Sequence, residues 1–340
     1  MRALPNKIYR TATAILGLAL LGAGPALAQE RTEITITRQP GIVYLPSHVM
    51  EKMNLIEKQA EKLGLKDFKV KWVNLSGGGA QTDALLAGNI QVVNTGVGNL
   101  LLLNDRTKGS VKGIVASSAL PLALISRDAN IKTLADIKPS DRIAVPTIKV
   151  STQAILLQMA AAKMYGDKDY AKFDANTVQL GHPDAFGAMT NPTSEIHNHF
   201  AAPPFQFREL KSVPGAHIVV QSQDIIGSPL TQSQFFCMTK FADTNPKAIK
   251  AIFAATLEAQ DFIRKHPADA VKMYKEVTHD STSDADLLSY LKEPGMMEFN
   301  PQPQGLMKFA QHLYKIGTLK AEPKSWKDYY LSIAHSLPGN

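Results

Sequence analysis

From Ile34 to Ser118 the chain alternates between two hydrophobic rhythms, with only a few residues between one and the next. ITITRQ (34–39) has the period of two that belongs to a strand and stops at Pro40-Gly41. The stretch after it places Val49, Met53, Ile56, Ala60 and Leu63 at spacings of four and three. That is the apolar face of one helix, with Ser47 as its N-cap and Gly64 as its stop. FKVKWV then predicts a strand, QTDALLAG a helix, IQVVNTG a strand, NLLLLNDRT a helix and GIVASS a strand. A βαβαβ order argues for a mostly parallel α/β sheet.

A second block of the same kind follows. LALIS reads as a strand and TLADIK as a short helix, with Thr133 capping and Asp136 three residues on. RIAV, TVQLG, EIHNHFAA and AHIVVQS read as strands, TQAILLQMAAAKMYG and AFGAM as helices. After Gly227-Ser228-Pro229 long helices take over. In residues 246–265, Ile249, Ile252, Phe253, Thr256, Ala259 and Ile263 share one face, and Pro246 suits the first helical position. With 340 residues, 44% of them hydrophobic, the chain has material for two domains with sizeable cores.

The first 28 residues carry a different signal. Arg2, Lys7 and Arg10 precede the apolar run AILGLALLGA (14–23), and Ala26-Leu27-Ala28 forms an A-x-A cleavage pattern before Gln29. This is the pattern of a secretory signal peptide, and the apolar run is too short to span a bilayer at roughly 20 residues. Cleavage removes three basic and no acidic residues, lowering the formal charge from +7 to +4. The remaining basic residues are scattered, as in KDFKVKW, which speaks against a nucleic-acid partner. Cys237 is the sole cysteine and sits in the strand-like QFFCMTK, so a buried structural thiol is expected rather than a disulfide framework.

Ser76-Gly77-Gly78-Gly79 stands between a strand and a helix. A dinucleotide fingerprint would need G-x-G-x-x-G and an acid about 20 residues on, and residues 94–103 hold none. A P-loop would need Gly-Lys-Ser/Thr, and an exported protein meets no ATP. Two readings stay open: a turn that uses glycine for φ > 0, or an anion cradle of backbone N–H groups at a helix N-terminus. Two further loops of this kind are Thr95-Gly96-Val97-Gly98-Asn99 and residues 147–153, the latter offering Ser151, Thr152 and Gln153. In open α/β sheets ligands bind beyond the carboxyl ends of strands, where such loops gather. Tyr44 is either an aromatic wall or a packing residue, and His182 either an anion donor or a cap or surface residue.

His197 and His199 are spaced to share one face of a strand, but Glu195 is the only nearby third ligand and no HExxH or CxxC occurs. They read as rim or structural histidines, and no metal or cofactor is expected. No G-x-S-x-G elbow, S-x-x-K in a plausible setting or electropositive cysteine points to an enzyme.

EKMNLIEKQAEKLGL, LSGGGAQTDALLAGNIQVVNTGVGN, KGIVASS, TLADIKPSDRIAVPTIKVSTQAILL, LGHPDAFGAM, HFAAPPF and TKFADTNPKAIKAIFAATLEAQDFIRKHPADAV follow in this order over most of residues 33–275. Together they resemble the periplasmic substrate-binding proteins of nitrate/taurine/aliphatic-sulfonate (NitT/TauT-type) ABC importers. The resemblance implies the α/β two-lobed periplasmic-binding-protein fold of type II. Each lobe would be a mostly parallel sheet flanked by helices, with two hinge strands joining the lobes and the ligand in the cleft between them. It divides the chain into a signal peptide (1–28), a discontinuous lobe I (29–122 and 224–340) and lobe II (123–223).

The function implied is that of a monomeric, non-catalytic carrier in the periplasm. It would capture a small anionic solute such as a sulfonate, taurine or a nitrate-like ligand and deliver it to an inner-membrane permease and its ATPase. The expected ligand-binding residues are Tyr44, Ser76, Gly77, Gly78, Thr95, Gly96, Ser151, Thr152, Gln153 and His182. The alternatives are the same fold binding a pyrimidine-type thiamine precursor or an aromatic carboxylate and, more distantly, an exported hydrolase. Yeast-type pyrimidine synthases of thiamine biosynthesis share this fold, but they carry a cysteine-rich motif that a chain with one cysteine does not match.

Overall fold

The computed structural model describes residues 30–75 and 77–340, so the signal peptide expected over 1–28 and the position of Ser76 lie outside the described residues. The described strands are β1 (Glu33–Arg38), β2 (Lys69–Asn74), β3 (Val92–Thr95), β4 (Val111–Ser118), β5 (Ala123–Ser126), β6 (Ile143–Val145), β7 (Thr177–Gln179), β8 (Asn198–Ala201), β9 (His217–Gln221) and β10 (Ser233–Met238). They form two five-stranded sheets, ordered β2-β1-β3-β10-β4 and β7-β6-β8-β5-β9.

The two sheets follow one plan. In the first, β1 pairs in parallel with β2 and β3, while β10 lies antiparallel between β3 and β4. In the second, β6 pairs in parallel with β7 and β8, while β5 lies antiparallel between β8 and β9. Four strands of each sheet therefore run one way and the fourth in order runs against them. The βαβ rhythm predicts the parallel strands. The reversed ones, β5 and β10, are the first strands laid down after each passage from one sheet to the other, so neither follows a helix that crosses over within its own sheet.

The chain passes between the sheets at residues 119–122 and 227–232, and the two passages are tied together at the level of the backbone. Gln232 N donates to Ser118 O at 2.8 Å, and Ser222 N donates to Leu122 O at 2.9 Å. Leu122 N in turn donates to Ser222 Oγ at 3.0 Å.

Hydrophobic periodicity decides most of the helices and misplaces one. The single helix expected over 47–63 is two, Leu45–Met53 and Leu55–Lys62, divided at Asn54 (φ 51°, ψ 44°). Asparagine enters the left-handed region at little cost, and the spacing of apolar residues continues across the break, so the pattern alone does not reveal it. Ser47 is not the cap. Pro46 opens the helix after Tyr44, and the Ser47 hydroxyl donates to Tyr44 O at 2.7 Å.

Other expectations hold. Thr133 N donates to the Asp136 carboxylate at 2.8 Å. The long helix Pro246–Lys265 buries Ile249, Ile252, Thr256, Ala259 and Ile263 against the two helices at 45–62, while Phe253 is half-buried. Each fully buried isoleucine contributes on the order of 2 kcal/mol. Cys237 is completely buried beside Phe235 and Phe236 in β10, and burial pushes its thiol pKa up.

Candidate functional site

Four helices begin where the two sheets face each other, each just after the carboxyl end of a parallel strand. They are Gly78–Leu86 after β2, Val97–Arg106 after β3, Thr152–Tyr165 after β6 and His182–Thr190 after β7. The first N–H groups of each have no partner within the helix, and the helix dipole favours negative charge there. At the third, Ser151 is the N-cap: its Oγ accepts from Ala154 N at 3.3 Å, which leaves the hydroxyl proton free to donate.

These ends surround a cavity of about 30 Å³, enough for roughly two waters. From the first lobe Tyr44, Gly78, Thr95 and Gly96 line it, and from the second Ser151, Thr152, Gln153 and His182. Of the ten residues expected at the site, eight thus meet around one space. Gly77 caps the first helix with extended backbone (φ −138°) and stands outside the lining, and Ser76 is outside the described residues.

The glycines owe their place to crowding rather than to positive φ, which corrects the turn reading. A Cβ on Gly78 would lie 2.6 Å from both Thr95 Oγ1 and Asn99 Oδ1, and one on Gly96 would lie 2.7 Å from Thr152 Oγ1 in the opposite lobe. Gly98 shows the closest approach: its Cβ would lie 2.5 Å from Ile155 Cδ1 and closer still to Val150 O, both across the cleft. The lobes also share a backbone hydrogen bond, from Ile42 N to Pro203 O at 3.0 Å.

Three polar residues of the lining are not among the ten expected: Gln39, Asn99 and Gln232. Gln39 ends the first strand's run and Asn99 closes the GVGN loop, so position beyond a parallel strand was their available signal. Gln232 lies on the return passage, where no local pattern marks it. Asn99 Nδ2, Gln232 Nε2 and Thr152 Oγ1 are buried and, among the described residues, have no hydrogen-bond partner. The residues lining the cavity include no lysine, arginine, aspartate or glutamate. Buried donors left unpaired cost about 1–3 kcal/mol each, so their convergence marks a place for acceptor oxygens.

Behind this surface the polar groups are held firmly. Gln39 Nε2 donates to Tyr44 Oη at 2.8 Å, and burial pushes the Tyr44 phenol pKa up, keeping it neutral. His48, fully buried, donates from Nε2 to Gln39 O at 3.1 Å, and burial lowers its pKa to about 3. His182 is neither a cap nor a surface residue. Gly181 is the cap, while His182 is 8% exposed, with Nε2 3.2 Å from Gln153 Nε2 and Nδ1 2.8 Å from His199 Nε2. Burial first, then His199, pushes its pKa well down. His197 and His199 do not face a common ion: His197 is exposed before β8, whereas His199 is buried with both ring nitrogens engaged.

The NMT1-like family profile matches residues 28–276, nearly three-quarters of the sequence. The chain belongs to the NMT1-like family. No curated protein sequence matches it. Among solved structures, this NMT1-like protein is similar to the alkanesulfonate-binding protein SsuA from Xanthomonas axonopodis pv. citri bound to MOPS, with 16% identity and a TM-score of 0.67. That match covers 87% of this chain and 96% of SsuA. It is also similar to the periplasmic nitrate-binding protein NrtA from Synechocystis PCC 6803, with 14% identity, a TM-score of 0.65, and 86% and 83% of the two chains covered. The Candida albicans CA3427 gene product, described as having the generic periplasmic binding protein structural fold, matches with 10% identity and a TM-score of 0.64. Coverage there is 86% and 92%. At such identities the likeness establishes the fold of this NMT1-like chain: two lobes of the periplasmic-binding-protein type.

Proposed function

We propose that this protein is the extracytoplasmic solute-binding protein of an ABC importer and that it holds a small oxyanion, nitrate or the head of a sulfonate such as taurine, between its lobes. The observation that carries the reading is that the residues bearing the unpaired donors Asn99 Nδ2, Gln232 Nε2 and Thr152 Oγ1 all line one small space with four helix N-termini around it. An oxyanion satisfies those donors and the dipoles together. The small enclosed volume favours a compact head group; a pyrimidine or aromatic ring would need the lobes to stand further apart. The similarity to SsuA and NrtA supports the same class. In this reading residues 1–28 direct export to the periplasm, where the protein acts as a monomeric carrier without turnover and delivers its cargo to a permease and ATPase.

Thermal unfolding in the presence of nitrate, ethanesulfonate, taurine, benzoate and an aminopyrimidine tests this. A ligand at a hundred times its Kd stabilises by about 2.7 kcal/mol, which for a chain of this size raises the melting temperature by roughly 5–10 °C. Such a rise is expected for at least one oxyanion. A rise with the heterocycle or benzoate alone would transfer the site to those ligands, and conversion of any of them to product would defeat the carrier reading.

A further inference from the structure

Four side chains run in single file from the cleft into the second lobe. Gln153 Nε2 lies 3.2 Å from His182 Nε2, His182 Nδ1 lies 2.8 Å from His199 Nε2, and His199 Nδ1 lies 2.6 Å from Glu209 Oε1. Gln153 and His182 line the cavity; His199 and Glu209 are wholly buried behind them, and Phe205 stacks on His182 at 5.7 Å. Glu209 Oε2 is also buried and has no partner among the described residues, so the carboxylate has accepting capacity to spare.

A neutral imidazole has one donor nitrogen and one acceptor nitrogen, so such a file has a single direction at a time. With Glu209 ionised and accepting, both histidines carry their proton on Nδ1. Gln153 then donates its amide hydrogen to His182 Nε2 and turns its carbonyl oxygen to the cleft. An oxyanion arriving there meets an acceptor. One added proton reverses the two bonds nearest the cleft, Gln153 to His182 and His182 to His199, and leaves His199 donating to Glu209.

We propose that Glu209 and His199, which never touch the cleft, set the hydrogen-bond polarity of Gln153, and that an oxyanion entering the cleft draws one proton into this file and turns Gln153 from acceptor to donor. This rests on the oxyanion reading of the site given above. A hydronium ion from solvent gives a proton to His182 Nε2 and leaves as water, while the Nδ1–H bond of His182 breaks and that proton bonds to His199 Nε2. His182 ends neutral with its tautomer reversed, and His199 ends as an imidazolium against the Glu209 carboxylate. The Gln153 amide rotates by half a turn, its oxygen accepting from His182 Nε2 and its NH₂ facing the anion. The anion's charge and the proton's cancel, which accounts for a cleft without lysine or arginine. The Glu209 carboxylate, 2.6 Å from His199 Nδ1, is the counter-charge that places the positive charge on His199 rather than on His182.

The other charged groups on the elements around the file are occupied elsewhere or face water. Arg208 lies over the Phe186 ring and 3.7 Å from Asp280, and Lys211 pairs with Asp286. Arg127 donates to the carbonyls of Met189, Asn191 and Ser194, and Arg142 to those of Pro139 and Asp141. Lys163, Asp184 and His197 are exposed, and Tyr44 across the cleft is held neutral by burial.

Nitrogen NMR of ¹⁵N-histidine-labelled protein, with and without sodium ethanesulfonate, tests the proposal. Without the sulfonate, His182 and His199 are expected as Nδ1–H tautomers at pH 7; an Nε2–H form of either would overturn the polarity. With it, His182 is expected to become Nε2–H and His199 doubly protonated. Calorimetry in buffers of different ionisation heat is expected to register uptake of up to one proton, and affinity to fall by as much as roughly tenfold per pH unit as pH rises. Glu209→Gln is expected to abolish the uptake and flatten that dependence. Tautomers that stay unchanged in a protein that binds ethanesulfonate would sink the proposal. Failure of ethanesulfonate, nitrate and taurine to bind would count against the oxyanion reading instead, while the tautomers of the ligand-free protein would still decide the polarity of the file.

Discussion

Because a Cβ on Gly78 would lie 2.6 Å from both Thr95 Oγ1 and Asn99 Oδ1, an aspartate there brings two separate harms. It disturbs the neighbours that shape the cavity, and it puts a carboxylate where the proposed ligand carries its own charge. At an effective dielectric of about 20, like charges 4 Å apart repel by roughly 4 kcal/mol, and even a third of that is about tenfold in affinity. Gly78→Asp is therefore expected to weaken oxyanion binding at least tenfold by calorimetric titration. Unchanged affinity in a folded variant would remove this helix end from the site. His48 makes a prediction about stability. Its pKa falls to about 3 in the folded protein from an ordinary 6.5, because burial disfavours the charged ring. The unfolded chain therefore binds more protons between those values, and stability is full above pH 6.5 and is lost as pH falls toward 3. The loss at pH 5.5 is about 1.4 kcal/mol from this residue. Denaturant titrations at pH 7.5 and 5.5 are expected to register it, and His48→Gln to reduce the difference; equal sensitivity to acid in the variant would refute this role.

At the scale of elements, the helix Val97–Arg106 is a surface against which the second lobe packs. A Cβ on Gly98 collides with Val150 O and Ile155 Cδ1, yet alanine is at home in a helix and is worth up to roughly 1 kcal/mol over glycine there. Gly98→Ala is thus expected to leave the melting temperature of the ligand-free protein level or slightly raised while holding the lobes apart. Small-angle scattering should register a larger radius of gyration, and affinity for the oxyanion should drop. A variant that binds as well as the parent would show that this contact plays no part in closure. The same helix marks the boundary of what the sequence makes legible. Its position, its glycine entry and Thr95 follow from strand-then-helix periodicity and from loops beyond carboxyl strand ends. Asn99 Nδ2 becomes significant only when it is found buried and unpaired, which is a fact of packing. The Phe205–Ser212 helix is too short to set a clear period, so neither it nor Glu209 is legible in the sequence. The reversed direction of β5 and β10 has the same origin: it is decided by pairing with strands remote in sequence, to which a local pattern is blind.

At the scale of the whole molecule, both tryptophans, Trp72 on β2 and Trp326 near the C-terminus, belong to elements of the first lobe. Trp326 packs edge-on against Tyr330, whose backbone bridges to Gly113 of β4, so indole fluorescence reports that lobe alone. The strands of the second sheet all lie between residues 123 and 221, whereas β10, the inner strand of the first, is made last. A chain stopped at residue 232 is expected to protect the amides of β5, β6 and β8 from hydrogen exchange and to leave those of β4 exchanging freely. Protection of β4 without β10 would contradict this.

That arrangement also sets a timetable for synthesis. Ser233 finds Ser117 across 116 residues of sequence, so β4 leaves the ribosome long before the strand that joins it to its sheet exists. Through that interval β3 and β4 offer bare edges, and nascent chains are at their most aggregation-prone while such edges wait. The second lobe, finished within the same interval, is the first part able to stand on its own. Maturation is then governed by one late, long-range insertion, and a chaperone that shields β3 and β4 until residue 238 emerges is expected to raise the yield.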